Sequence, residues 1–172
     1  MHIINKLLLI KIILSVFLAI SSHDVVEEYI TYPGATGDVL AYLTKPKGAG
    51  SWPAVILVHD KEGIKTETEE LARAIAARGY YVIVPDGLSQ ISGTPDIHDF
   101  VVNSMDQVDR HSTLRNFAAV IKFLEQNQST TGKIACVGIG WGGAMARDIV
   151  AASDTMKISC LSIDDLLKHN LE

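Results

Sequence analysis

The sequence predicts an α/β fold with a mostly parallel sheet flanked by helices, on three observations. Short β-branched runs recur without polar alternation, which marks strands buried on both faces. Amphipathic helical patterns separate those runs. The order strand, helix, strand repeats along the chain, which builds parallel sheets.

Each element has its own justification. "VLAYLTKP" (39–46) follows the turn signal "PGATGD" and alternates as a strand, pairing with "EEYITY" before it. "PAVILVHD" (53–60) is a continuous apolar run that predicts a buried strand. Thr66 and Glu69 read as a capping box, Leu71 and Ile75 share a helical face, and Gly79 supplies the stop. "YYVIVPD" (80–86) is the next buried strand, which completes a βαβ unit with a right-handed crossover. Positions 87–111 are polar and show little periodicity. Leu114, Phe117, Ile121 and Leu124 then mark one apolar helix face, and "KIACVGIG" is a third buried strand. A helix over 141–152 and a strand over 156–163 follow.

Residues 1–21 stand apart from this pattern. Lys6 and Lys11, an apolar run over 12–20, and the small residues Ala19, Ser21 and Ser22 read as a signal peptide, cut near Ser21 or Ser22. The competing reading is an uncleaved membrane anchor, against which Lys11 and the short apolar run count. The expectation is export, with 22–172 as the mature domain and membrane contact only through an uncleaved N-terminus. Periplasm and extracellular space are not distinguished by the residues.

Composition narrows the function classes. The 172 residues are 48% hydrophobic and 20% charged, ordinary for one globular domain. Lys6 and Lys11 are the only Lys, Arg, Asp or Glu in 1–21, so the net charge of −5 becomes −7 without that segment. An acidic surface argues against a nucleic-acid partner. Cys136 and Cys160 form neither a disulfide framework nor a metal site. Both fall in predicted strands; export would permit a bridge between them, but they read as buried, inert thiols. No metal or cofactor is expected.

The stretch "GIGWGG" (138–143) carries the functional question, because it fits two devices. Gly138, Gly140 and Gly143 spell the phosphate-cradling G-x-G-x-x-G between a strand and a helix, and Asp164 ends the next strand where an acid would meet a ribose hydroxyl. Against a dinucleotide unit, such a unit normally opens its fold rather than following other strands. Gly138, Gly140 and Gly142 equally space a nucleophile elbow, a strand-to-helix turn that lifts one residue above the sheet edge.

Four segments decide between these readings. "YITYPGATGDVLAYLTKPKGAGSWPAVILVHDKEGI", "LARAIAARGYYVIVPDGLS", "TLRNFAAVIKFLEQN" and "KIACVGIGWGGAMA" resemble, in order and spacing, the dienelactone hydrolase family over roughly 25–152. The resemblance implies an α/β-hydrolase fold, a small ester or lactone as substrate, and a Cys or Ser nucleophile at the elbow. Gly140 stands in that nucleophile's place and has no side chain to attack with. The resemblance further implies that Asp60 corresponds to the family's loop acid, a Glu one methylene longer. It makes the backbone N–H groups of Lys61 and Trp141 the oxyanion donors, with Gly138, Gly142 and Gly143 shaping the elbow.

Other residues are weaker candidates. Cys136 lies within a strand, Ser129 lies in a loop without an evident base, and His59 reads as a strand-end residue. The resemblance implies a triad Asp and His beyond the strand that ends near Ile163, and the sequence as given reaches Glu172 before them. Asp164 and Asp165 come one strand early, and His169 falls in a polar tail. The expectation is a domain missing its C-terminal strands and inactive as written. Three alternatives stay open: an active hydrolase with an erroneous or incomplete sequence, a noncatalytic small-molecule binding module, and the dinucleotide unit. Oligomeric state has no signature in the chain.

Overall fold

The computed structural model describes residues 23–91, 105–153 and 158–160. The leader assignment at 1–21 and the candidates Asp164, Asp165 and His169 lie outside these residues. Among the described residues six strands form one sheet in the order β1-β2-β4-β3-β5-β6. They are β1 (Val25–Pro33), β2 (Asp38–Pro46), β3 (Trp52–Val58), β4 (Tyr81–Pro85), β5 (Thr130–Gly138) and β6 (Ile158–Cys160). β1, β2 and β4 pair antiparallel, whereas β4–β3, β3–β5 and β5–β6 pair parallel. Three helices are described, α1 (Thr66–Ala76), α2 (Arg110–Glu125) and α3 (Trp141–Ala151).

The unalternating strands are explained by cover on both faces. Ala54, Ile56 and Val58 of β3 pack with Ile134 and Cys136 of β5 against Phe117, Val120 and Leu124 of α2 and Met145, Ala146 and Ile149 of α3. Val55 and Leu57, between them in sequence, face the other way onto Ala72, Ile75 and Ala76 of α1. Successive strand side chains point to opposite faces, so a strand covered twice must be apolar throughout.

Two local expectations are corrected. Thr66 does not cap α1: the N-cap is Lys65, and no side-chain cap bond forms there. Glu69 is drawn outward instead, accepting from the Tyr29 hydroxyl at 2.7 Å and lying 3.8 Å from Arg73. Cys160 is exposed although Cys136, its register partner on β5, is buried. The apolar pattern of 156–163 reports strand propensity, whereas exposure depends on what packs beyond β5.

One buried polar group fixes the β1–β2 turn to α2. The Asn116 carboxamide oxygen accepts from the Thr36 N–H at 3.0 Å, its amide donates to the Thr36 hydroxyl at 2.9 Å, and its main-chain carbonyl accepts from the Tyr32 hydroxyl at 3.0 Å. Asn116→Ala strands the Thr36 N–H and hydroxyl, while the main-chain carbonyl still accepts from Tyr32; it is expected to cost about 2 kcal/mol, read as a lower midpoint in urea unfolding.

Candidate functional site

The sheet order sets the carboxyl ends of β4, β3 and β5 side by side, the place where open α/β sheets bind ligands. From β3 emerge His59, Asp60 and Lys61. From β4 emerge Asp86 and Gly87, and from β5 Ile139 and Gly140, followed at once by α3.

The β5–α3 turn is tight because its glycines allow backbone to approach backbone. A Cβ at Gly138 would overlap the carbonyl group of Gly142 and the nitrogen of Gly143, and one at Gly142 would overlap the carbonyl oxygens of Val58 and His59. Gly140, the residue lifted at the turn, has φ +52° and ψ −116°. That is a backbone conformation side-chain-bearing residues adopt only under strain. Gly140 is solvent-exposed. The Ile139 N–H bonds to the Val58 carbonyl at 3.0 Å, which locks the turn to the end of β3.

This geometry brings the two backbone donors together. The Lys61 N–H and the Trp141 N–H, 80 residues apart in sequence, both donate to Oδ1 of Asp60 at 2.9 Å. The Asp60 carboxylate therefore lies at the N-terminus of α3, where the helix dipole and the Trp141 N–H favour an anion. It also fills the space into which a residue-140 side chain would project. A Cβ built on Gly140 would stand 2.5 Å from the carboxyl carbon of Asp60 and 2.6 Å from Oδ1, well inside van der Waals contact.

His59 holds this arrangement from beneath. Its ring is fully buried, with Nδ1 2.6 Å from the Asp60 carbonyl oxygen and Nε2 accepting from the Gly87 N–H at 2.9 Å. That pairing fixes the neutral tautomer with its proton on Nδ1. Burial pulls its pKa below the ordinary 6.5, against the Asp60 carbonyl and the nearby Asp86 carboxylate, which pull upward. His59 thus stands at the strand end with both nitrogens committed. Gly87, its partner, was not singled out by sequence reasoning, although the "PDG" turn signal at 85–87 marks the place.

Two cations flank the site. Lys61 Nζ lies 3.0 Å from the Asp106 carboxylate, and the Met105 N–H donates to the Lys61 carbonyl at 2.9 Å. The Arg110 guanidinium lies 5.8 Å from the centre of the Trp141 ring and pairs with Asp148. Arg110 escaped sequence reasoning because its partners lie 31 and 38 residues away. Among the secondary candidates, Cys136 is buried in the core and burial raises its thiol pKa. Ser129 is tied into the β5 approach, its N–H donating to Asn127 Oδ1 at 2.9 Å. Among the described residues no group of three or more His, Cys, Asp or Glu could hold a metal ion. No helix among them is long and apolar enough to cross a membrane.

The model of the "Dienelactone hydrolase family" matches residues 39–160. An Escherichia coli protein bearing the name hydrolase fragment YghX is 43% identical over 89 residues, which cover 50% of this chain and 76% of that protein. A Yersinia pestis protein bearing the name carboxymethylenebutenolidase is 25% identical over 143 residues, 81% of this chain and 54% of its own. The chain thus spans about half the length of that relative. A Klebsiella pneumoniae crystal structure named for dienelactone hydrolase superposes with a TM-score of 0.66 at 20% identity, covering 80% of this chain and 58% of the other. The dienelactone hydrolase of Anabaena variabilis gives 0.63 at 17% identity, covering 81% and 63%.

Proposed function

The chain belongs to the dienelactone hydrolase family and has its α/β-hydrolase fold, and from that premise we propose a family member whose elbow lacks covalent ester chemistry. One observation carries this reading. At the elbow, position 140 is a glycine, and the space beyond its Cα holds the Asp60 carboxylate. Covalent ester cleavage needs a thiolate or activated hydroxyl there, and the backbone offers no substitute.

The two N–H groups that would stabilise an acyl oxyanion, those of Lys61 and Trp141, are engaged by Asp60 Oδ1. A substrate carbonyl would have to displace a charged ligand that is covalently tethered and needs no association entropy. The ligand class inherited from the family is a small ester or lactone, met outside the cytoplasm if residues 1–21 act as an export signal. The dinucleotide reading gains nothing from this geometry, since a pyrophosphate brought to the start of α3 would meet the Asp60 carboxylate.

The test is a rate. The purified full chain is expected to hydrolyse short activated esters and simple lactones no faster than buffer does. Saturable turnover that scales with protein concentration would overturn the reading.

A further inference from the structure

The two oxygens of the Asp60 carboxylate are in different situations. Oδ1 is anchored by two N–H donors at 2.9 Å. Oδ2 accepts no hydrogen bond from the described residues and lies beside exposed Gly140, where a side chain would begin. Asp60 itself is half-buried, and the half-buried indole of Trp141 follows Gly140. One oxygen is therefore held, while the other is oriented on a half-buried residue and lies beside the exposed Gly140.

We propose that Asp60 is a carboxylate nucleophile toward saturated carbon, acting on small, uncharged primary alkyl halides or sulfonates through Oδ2. The choice of electrophile follows from the hydrogen bonds. Attack on an acyl carbon creates an oxyanion that needs an N–H pair, and here the nucleophile's own second oxygen holds that pair. Displacement at saturated carbon creates no such oxyanion. An electron pair on Oδ2 forms the new O–C bond, the bond from carbon to the leaving group breaks, and the halide or sulfonate departs with that pair. No proton or redox equivalent is needed. The product is an aspartyl alkyl ester whose carbonyl oxygen, Oδ1, remains under the Lys61 and Trp141 N–H groups.

The ester is expected to persist. Its hydrolysis needs a base to activate water, and the imidazole next to it, His59, has both nitrogens committed to the Asp60 carbonyl and the Gly87 N–H. The outcome is one label per chain rather than turnover. The inference rests on the placement of Asp60 and not on the absence of esterase activity, so the two can fail separately.

The experiment uses the full chain carrying Cys160→Ser, which removes an exposed thiol that would consume the reagent. It is treated at neutral pH with limiting benzyl bromide, and labelled peptides are mapped by mass spectrometry. One benzyl group, released by alkaline hydroxylamine as an ester should be, is expected on the peptide containing Asp60. Its rate should exceed that of the exposed carboxylates Asp24 and Asp38 by roughly tenfold, for an oriented nucleophile on a half-buried residue. Asp60→Asn keeps an oxygen to accept both N–H groups, so the turn is retained, and it is expected to lose this label alone. Labelling no faster at Asp60 than at Asp24 or Asp38, or an unchanged label on that peptide in Asp60→Asn, would overturn the proposal.

Discussion

Gly142→Ala is expected to cost about 3 kcal/mol, whereas Gly143→Ala, one residue along the same helix, is expected to be neutral or stabilising by up to about 1 kcal/mol. The difference is one of contact. A Cβ on Gly142 would run into the carbonyl oxygens of Val58 and His59, and the Val58 carbonyl carbon would stand 2.8 Å away. Those atoms belong to the central strand and the residue after it, and they cannot turn aside as a side chain could. A Cβ on Gly143 meets only the Gly138 carbonyl oxygen, at 3.6 Å, and brings the higher helix propensity of alanine. In thermal unfolding followed by circular dichroism, the first variant should melt roughly 6 to 12 °C lower than the second or the parent. Equal melting temperatures for the two variants would show that α3 does not approach β3 as closely as the structure places it. The first substitution should also disturb the carboxylate site, because the same approach sets the Trp141 N–H over Asp60.

The legible parts of the fold are those set by neighbours in sequence or by burial alone. β3, β4 and β5 could be read because a strand covered on both faces has no place for polar alternation. The face Phe117, Ile121 and Leu124 could be read because one helix side meets the core. Strand order could not, since β2 lies antiparallel beside β4 through contacts such as Leu43 with Ile83, and nothing local encodes that pairing. The Thr66 cap failed for a similar reason: Glu69 finds a partner on another element, Tyr29 of β1, that sequence spacing does not display.

At the site the glycines were legible, because a turn that presses backbone on backbone tolerates nothing larger. The residence of Asp60 beneath Trp141 was not. Sequence reading made Asp60 the loop acid and the two N–H groups free donors, and only the meeting of β3 and β5 shows that the acid is itself their ligand. The glycine at 140 and the carboxylate bound by the Lys61 and Trp141 N–H groups are linked, since any side chain at position 140 would contest the same volume.

Lowering the pH from 7 to 5 is expected to destabilise the fold mainly through His59. Its folded pKa lies below the ordinary 6.5, with burial as the largest cause. Above 6.5 the ring is neutral in both states, and the full stability is present. As the pH falls below 6.5, the unfolded chain takes up a proton that the folded chain refuses, and stability drops by up to about 1.4 kcal/mol per pH unit until the folded pKa is reached. The lowered carboxyls of Glu27 and Asp109 act in a separate window, since their ordinary values are 4.5 and 3.8 and their contribution is lost only as the pH falls below them. His59→Ala distinguishes the sources. It leaves the buried Gly87 N–H without its acceptor and removes the ring packed 6.2 Å from the centre of Phe117, so a cost of about 3 kcal/mol is expected at pH 7. Between pH 7 and 5 the variant's stability should be nearly flat where the parent's slopes. Parallel slopes in urea unfolding would assign the acid sensitivity elsewhere. A parent slope that the variant lacks would tie it to the imidazole that braces Asp60, because protonating Nε2 removes the lone pair that accepts the Gly87 N–H.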